Sequence, residues 1–284
     1  MEWIERLNNA IKYIEEHLTE KIDYDELAQI ACCSTYHFQR MFSYMAGVPL
    51  SEYIRRRRMT LAAVDLQGDS KVIDIALKYG YESPTAFNRA FKSVHGVAPS
   101  HVKKEGSTLK SFSPISFVIS IKGDTEMNYR IEKKEAFRII GLAEPLHKDV
   151  EKNFEIVPKM WQKAAMSGKI PKLLSIADDK LQGILGISKC NTENEWKYYI
   201  AVKSDKDLED GFEECIIDAY TWAVFPGEGS MPDSIQELEK RIVTEWLPTS
   251  GYEYANGPDV ELYLSPDPKK AKYEVWIPVV RKEK

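Results

Sequence analysis

The chain has 284 residues, enough for two domains of ordinary size. Hydrophobic residues make up 43% and charged residues 29%, a globular balance, and no stretch approaches the ~18 apolar residues of a membrane helix. The N-terminus is amphipathic and acidic, unlike a secretory signal, so we expect a cytoplasmic protein without a membrane partner. The four cysteines form neither a CxxC pair nor a Cys/His cluster with metal-ligand spacing, so we predict no metal and no cofactor.

The net charge of −5 would argue against nucleic acid, but it hides an asymmetry along the chain. Residues 34–110 carry 12 Lys/Arg against 6 Asp/Glu, a charge of +6, whereas residues 111–284 carry 24 against 30, a charge of −6. The remaining −5 belongs to residues 1–33, with 3 basic and 8 acidic side chains. Positive charge confined to one segment is what a phosphate-binding module requires.

The first hundred residues contain an internal repeat at an offset of 49. Such a repeat indicates that one supersecondary unit is used twice. The repeated residues are Ser34, Phe38, Arg40, Phe42, Gly47, Val48 and Ser51, which recur as Ser83, Phe87, Arg89, Phe91, Gly96, Val97 and Ser100.

Each copy has the pattern of two helices joined by a tight turn. In the first copy, Asp23 is the predicted N-cap of one helix, with Glu26 as its capping-box partner. After a turn at Cys32–Cys33, Ser34 caps a second helix that ends at Gly47. We therefore predict a helix-turn-helix here.

The second copy has the same pattern of helix-capping and helix-ending residues, and a spacer helix precedes it. Ser70 is the predicted cap of its first helix, whereas Ser83, followed by a proline, starts the second helix, which Gly96 ends. Between the copies, Ser51 to about Gln67 predicts a spacer helix with four consecutive arginines. Because a helix turns ~100° per residue, these arginines cannot share one face. We expect one or two to pair with acids or DNA phosphates and the rest to be solvated.

Residues 5–105 resemble the DNA-binding domain of the AraC/XylS family, most specifically through IDIALKYGYESPTAFNRAFKSVHGVAPSHVK. The resemblance implies a DNA-binding domain over residues 1–107, whose two helix-turn-helix units place their second helices in the major groove. Several side chains at the family's base-contact positions can bond base edges, as arginine does with guanine. These positions carry Tyr36, Gln39 and Arg40 in the first copy, and Thr85, Asn88 and Arg89 in the second.

Two residues of the second copy depart from that family pattern. Pro84 and Ala86 stand where many relatives carry polar base-reading side chains. Phosphate contact therefore stays open as the alternative role of the second helix.

After Lys110 the pattern changes to alternating, β-branched stretches. The predicted order is strands ISFVISIKG, MNYRIEKK and AFRIIGLA, a helix at about 151–166, and strands GILGISK and WKYYIAV. It restarts with FEECIID and YTWAVFPG, a helix at about 232–246, and strands VELYLS and KYEVWIPVV. The predicted fold class is an all-α double helix-turn-helix domain followed, over residues 112–284, by an α+β domain of duplicated β-β-α-β-β units.

A carboxylate and a set of aromatic residues suggest a ligand site in this second domain. Glu261 lies mid-strand, and a carboxylate there is costly to bury without a cation or hydrogen bonds. Aromatic rings beside a carboxylate suit a lipophilic cation, although a solvated Glu261 with core aromatics is the alternative. The aromatic residues are Trp161, Tyr198, Trp222, Phe225, Tyr263 and Trp276.

Residues 112–284 also resemble the gyrase-inhibitor-like effector-binding domain of multidrug-sensing regulators, through MNYRIEKKEAFRIIGL, TWAVFPGEG, VELYL and YEVWIPV. The resemblance implies that Glu261 is the buried acidic ligand contact, and that Glu274, on the strand face of Trp276, is a peripheral one. Together with the aromatic residues, we expect an effector site of Glu261, Glu274, Trp161, Trp222, Phe225, Tyr263 and Trp276.

The two halves together predict a transcription regulator that binds double-stranded DNA and responds to a small-molecule effector, with RNA polymerase as a further candidate partner. Two alternatives stay open: a hydrolase with Glu261 as general base, and a constitutive DNA-binding protein whose second domain binds another protein. No GxSxG, HExxH or phosphate loop is present. We therefore assign no catalytic residue and do not expect an enzyme.

Overall fold

The computed structural model divides the chain into two compact units, unit 1 at Met1–Ile119 and unit 2 at Ser120–Lys284. The structure describes residues 3–104, 106–118, 126–147, 150–179, 181–190, 195–265 and 267–282. The two units correspond to the all-α and α+β halves that the sequence predicts.

Unit 1 is helical throughout its regular structure, as the repeat predicts. The helices are α1 (Trp3–Glu16), α2 (Tyr24–Ala31), α3 (Thr35–Ala46), α4 (Leu50–Asp65), α5 (Val72–Lys78) and α6 (Pro84–His95), followed by a 3₁₀ turn at Pro99–His101. We call α2 and α3 the first reader, and α5 and α6 the second reader.

Side-chain caps and left-handed residues define the ends of the two reading helices. The Ser34 side chain accepts from the His37 N–H at 3.2 Å, so α3 begins where the sequence predicts. Gly47 and Gly96 follow α3 and α6 with φ of +68° and +79°, a region that a glycine enters without steric cost. Cys32 has φ +54° at the predicted turn after α2.

Two cap predictions are wrong in detail. The N-cap of α5 is Lys71, which makes no side-chain cap hydrogen bond, rather than Ser70. Asp23 does cap α2 by accepting from the backbone N–H of Asp25, but Glu26 accepts from the Tyr13 hydroxyl at 2.8 Å. A tertiary contact between α1 and α2 therefore engages the side chain that local pattern assigned to a capping box.

The four arginines of α4 all have partners inside unit 1, more than the one or two that we expected to pair, and Arg55 is also exposed to solvent. Pairing within the unit, rather than exposure to DNA phosphate, accounts for this run. Arg55 and Arg56 pair with Glu52, Arg57 pairs with Glu15, and Arg58 donates to the carbonyls of Leu18 and Glu20.

Unit 2 contains the predicted duplication. A π-helical turn at Ile242–Trp246 continues α9 (Asp233–Arg241), and both α8 (Lys169–Ile176) and β7 (Tyr252–Tyr254) are additional to the predicted elements. The elements are β1 (Arg130–Lys134), β2 (Phe137–Pro145), α7 (Val150–Met166), α8 (Lys169–Ile176), β3 (Ile184–Cys190), β4 (Trp196–Lys203), β5 (Glu213–Ile217), β6 (Tyr220–Gly229), α9 (Asp233–Arg241), α10 (Leu247–Thr249), β7 (Tyr252–Tyr254), β8 (Asp259–Tyr263) and β9 (Ala271–Arg281).

The strands form one antiparallel sheet in the order β1-β6-β9-β8-β3-β4-β2-β5, with β7 paired to β9. The two halves pair through β3 and β8, where Gly186 lies opposite Glu261, and also through β1 with β6 and β2 with β5. One face of the sheet carries an apolar cluster that includes Ile139, Leu185 and Trp222. Because side chains alternate along a strand, Glu261 points to the other face.

The segment after Lys110 differs from its prediction. Residues 115–118 of the predicted strand ISFVISIKG are not in a strand, and residues 119–123 lie outside the described part of the chain. Residues 112–119 also belong to unit 1, whereas the sequence placed the start of the second domain at residue 112. Backbone groups of Phe112, Ile115 and Phe117 hydrogen-bond to side chains of α1 and α4, which explains this assignment.

Candidate functional site

The recognition helix of the second reader presents the predicted side chains to solvent. Thr85, Asn88 and Arg89 of α6 are exposed, whereas Phe87 and Phe91 are fully buried. The exposed residues have the i, i+3, i+4 spacing of one helical face. Burial of the phenylalanines fixes the rotation of α6, and this rotation turns the predicted DNA-contacting face outward.

The recognition helix of the first reader departs from the predicted exposure. Arg40 of α3 is partly exposed, and its Nε donates to the Tyr44 hydroxyl at 3.2 Å. Tyr36 and Gln39, which we expected to face outward, are only 9% and 5% exposed. Burial of the four consecutive residues 36–39 extends around the whole helix, so it exceeds the single apolar stripe that the pattern predicts.

In unit 2, Glu261 is the centre of a hydrogen-bonded aromatic cluster. Its Oε2 accepts from the Tyr263 hydroxyl at 2.7 Å and from the Tyr198 hydroxyl at 3.1 Å. The Trp161 indole Nε1 donates to the Tyr198 hydroxyl at 3.0 Å, and the Trp161 ring meets the Tyr263 ring edge to face at 5.0 Å. We call these four residues the Glu261 cluster; it contains the predicted Glu261, Tyr263 and Trp161.

Close approach and burial shape this cluster. A Cβ on Gly186 would lie 2.2 Å from the Tyr198 hydroxyl and 2.9 Å from the Glu261 Oε2, so only glycine leaves room at this position. Burial, and then the charge of Glu261, raise the pKa of Tyr263 well above its usual value. Tyr263 therefore stays a neutral hydrogen-bond donor. Glu261, Tyr263 and Trp161 are only partly buried, so solvent reaches the cluster.

The other predicted effector residues lie elsewhere in unit 2. Phe225 shares the sheet face of Glu261, since both are paired with Val275, but it packs against Trp246 with ring centroids 5.0 Å apart. Trp222 and Trp276 lie in the apolar cluster on the opposite face. The prediction that one pocket combines all these residues is therefore wrong, because strand alternation separates them.

Glu274 belongs to that opposite face and has partners of its own. The Trp276 indole donates to its Oε2 at 2.8 Å, and the Arg130 guanidinium lies 2.9 Å from its Oε1. The Lys134 ammonium lies 4.5 Å from the centroid of the Trp276 ring. Cations of the chain itself thus occupy the surroundings of Glu274 and Trp276, and a cavity of about 380 Å³ opens beside Trp276.

Tyr198, one of the aromatic residues that the sequence placed near the ligand site, is a member of the Glu261 cluster although it is absent from the expected effector set. It lies on β4, and β3 separates this strand from β8, which carries Glu261. Strand alternation could have indicated its face, but only the strand order shows that its hydroxyl reaches Glu261.

Within the described residues, no group of three or more His, Cys, Asp or Glu side chains is placed to hold a metal ion. The same part of the chain contains no helix of sufficient length and apolarity to cross a bilayer.

Known proteins match both units. Residues 130–279 match the family described as integron-associated effector binding protein, and residues 27–105 match the helix-turn-helix domain family. The HTH-type transcriptional activator AarP of Providencia stuartii is 42% identical over 95 residues, which cover 33% of this chain and 70% of that protein.

Two solved structures are similar to about half of the chain. A putative bacterial transcription regulation protein from Staphylococcus aureus MU50 is 21% identical with a TM-score of 0.49, covering 54% of this chain and 99% of that one. SAV2435 bound to tetraphenylphosphonium is 21% identical with a TM-score of 0.48, covering 54% and 94%. The chain therefore belongs to the integron-associated effector-binding family and, through its AraC-type helix-turn-helix unit, is a DNA-binding transcription regulator with an effector-binding domain.

Proposed function

We propose that the effector is a lipophilic cation and that the Glu261 cluster binds it. The observation that supports this is a partly exposed carboxylate that accepts hydrogen bonds from two tyrosine hydroxyls beside an indole ring. Hydroxyl donors hold a carboxylate in position without cancelling its charge, and aromatic faces attract cations. Glu261 supplies the charge, Trp161 and Tyr263 supply apolar surface, and the buried Tyr198 holds the Glu261 carboxylate in position.

Calorimetric titration of the full chain with tetraphenylphosphonium, and with neutral triphenylphosphine oxide, tests this proposal. We expect Glu261→Gln to weaken binding of the cation about tenfold or more, equivalent to ~1.4 kcal/mol, and to leave the neutral compound unaffected. Glu274→Gln is the matched control, because Glu274 lies on the opposite face and is paired with Arg130. Equal affinity of wild type and Glu261→Gln for the cation would refute the proposal.

We propose that Thr85, Asn88 and Arg89 of α6, and Arg40 of α3, contact DNA. Their exposure, complete or partial, and the basic charge of residues 34–110 support this role. DNA contact by the buried Tyr36 and Gln39 stays a prediction, as does contact with RNA polymerase. We place the protein in the cytoplasm because a transcription regulator has to meet DNA.

Variants and salt dependence distinguish base contacts from phosphate contacts. Replacing a base-contacting arginine by alanine should cost ~1–3 kcal/mol and relax discrimination at one base pair. Replacing a phosphate-contacting one should weaken binding to all sequences and lower the salt slope by about one. We expect the first result for Arg40→Ala and the second for Arg89→Ala. If neither variant changes DNA affinity, these helices do not bind DNA as proposed.

We infer that the chain is not an enzyme. The helix-turn-helix family match and the similarity to the transcriptional activator AarP support this inference. Hydrolysis of a bound ester by the wild type that Glu261→Gln abolishes would contradict this inference.

A further inference from the structure

Residues 107–118, which we call the strap, lie between the two family matches and belong to neither. The strap contains no helix and no strand. Its backbone nevertheless hydrogen-bonds to side chains of three helices of unit 1, so it is held in a defined position.

The N-terminal end of the strap is anchored in the second reader. The backbone N–H of Lys110 donates to Nδ1 of His95, at the end of α6, at 3.2 Å. Leu109 and Phe112 pack against the apolar cluster that contains Phe87 and Phe91 of α6. This end of the strap is therefore part of the core of the second reader.

The middle of the strap lies along the spacer helix α4. The Phe112 N–H donates to the Thr60 hydroxyl at 3.1 Å, and the Arg57 guanidinium donates to the Phe112 carbonyl. The Ile115 N–H donates to the Tyr53 hydroxyl at 3.2 Å. The three α4 residues follow one another at intervals of about one helical turn. The strap therefore runs along one side of α4.

The C-terminal end of the strap is anchored in the first reader and its supporting helix. The side-chain amide of Asn8, on α1, bonds both backbone groups of Phe117, at 2.8 and 2.9 Å. The buried Phe117 ring meets the Phe42 ring of α3 edge to face, with centroids 6.0 Å apart. One continuous segment therefore joins the cores of both readers.

We propose that the strap sets the spacing and orientation of the two readers, and thereby the number of base pairs between the two half-sites that the chain prefers. Helix α4 packs against both readers, through Tyr53 on Phe42 and through the apolar cluster of the second reader, and the turns at its ends connect it to them along the chain. The strap adds a second connection between the same two cores. Anchors in both cores oppose bending at those turns. Asn8 and Phe117 are positioning residues in this scheme, and the proposal rests on both readers contacting DNA.

The test compares an operator, selected in vitro with the full wild-type chain, with the same operator carrying one inserted base pair between its half-sites. One inserted base pair moves the second half-site by about 3.4 Å and turns it by about 35°. The variant Asn8→Ala/Phe117→Ala releases the anchor at the first reader. Ser111→Ala and Ser113→Ala are matched controls, because both serines are exposed strap residues. Phe117→Leu is the rescue variant, since it keeps an apolar anchor.

Fluorescence anisotropy measures the ratio of the two dissociation constants, which a loss of fold stability alone would not change. We expect the insertion to weaken wild-type, control and rescue binding about tenfold or more, and to weaken binding of the released variant less than about threefold. If the ratio of dissociation constants is the same in the released variant as in the wild type, the proposal is overturned. If that variant does not fold, as judged by circular dichroism, Asn8→Ala alone takes its place under the same criterion. If the ratio of dissociation constants is near one for the wild type itself, the two readers do not bind DNA at a fixed spacing, and the strap proposal is overturned as well.

Discussion

Removal of Arg57 tests whether a buried ion pair holds α1 against α4. The Arg57 Nε lies 3.0 Å from both carboxylate oxygens of Glu15, and its Nη2 lies 2.8 Å from Oε2. The side chains are only 8% and 19% exposed. The same guanidinium also donates to the Phe112 carbonyl. This network therefore holds two helices and the strap together.

The expected loss of folding free energy follows from the Glu15 charge, which loses its partner when Arg57 is replaced. Breaking a fully buried pair costs ~3–5 kcal/mol, because the remaining charge has lost its partner. Glu15 keeps some exposure and also accepts from the Tyr53 hydroxyl at 2.6 Å, so we expect ~2–3 kcal/mol for Arg57→Met. Arg57→Lys should recover only part of this loss, since an ammonium cannot bond both carboxylate oxygens and a carbonyl in one plane.

A double-mutant cycle measures the coupling between these two side chains. Urea unfolding followed by far-ultraviolet circular dichroism reports the stability of helical unit 1 in Arg57→Met, Glu15→Met and the double variant. We expect the double variant to be more stable than the summed single losses predict, with a coupling energy of ~1–3 kcal/mol. Additive losses, or a loss below ~0.5 kcal/mol for Arg57→Met, would show that the pair does not brace unit 1.

Three further changes test other parts of the structure. Gly186→Ala should cost ~1–3 kcal/mol in urea unfolding and weaken tetraphenylphosphonium binding, because its Cβ would displace the Tyr198 hydroxyl; unchanged binding would contradict the geometry of the Glu261 cluster. Burial lowers the pKa of His95 below its ordinary 6.5, so its neutral form, which accepts from the Lys110 N–H, stabilises unit 1 above that pH. The free energy of unfolding should therefore fall as the pH drops below 6.5, and His95 can contribute at most ~1.4 kcal/mol per pH unit to this fall. In His95→Gln the melting temperature should depend less on pH than in the wild type. Equal pH dependence of the melting temperature in the two proteins would refute the assignment. Ser34→Ala should cost ~1 kcal/mol by removing the α3 cap, and an unchanged melting temperature would show that the cap contributes nothing.

The residue pattern was sufficient to predict the helical half of the protein. The repeat, the cap at Ser34 and the left-handed glycines Gly47 and Gly96 all concern backbone within a few residues, where local preference is decisive. Ser70 is one exception, because α5 has Lys71 as its cap although Ser70 has the better capping side chain, and Glu26 is another, because it accepts from Tyr13. The β-β-α-β-β duplication also follows from local periodicity, because alternation predicts a strand wherever it occurs.

The candidate effector site depended on contacts between distant elements. Alternation shows which residues of β8 or β9 share a face, and so it could separate Glu261 from Leu262. It does not show which strands are neighbours. The order β9-β8-β3-β4 brings Tyr198 to Glu261 and leaves Trp276 on the opposite face.

Unit 1 shows the same division between local pattern and tertiary structure. From sequence alone, Arg57 is one of four equivalent arginines, and residues 112–118 are assigned to the start of the next domain. Sequence determines helices, strands and their apolar faces, because these depend on neighbours along the chain. The burial of Arg57 against Glu15 and the anchoring of the strap depend on helices that pack together from distant positions, so only the tertiary structure decided them.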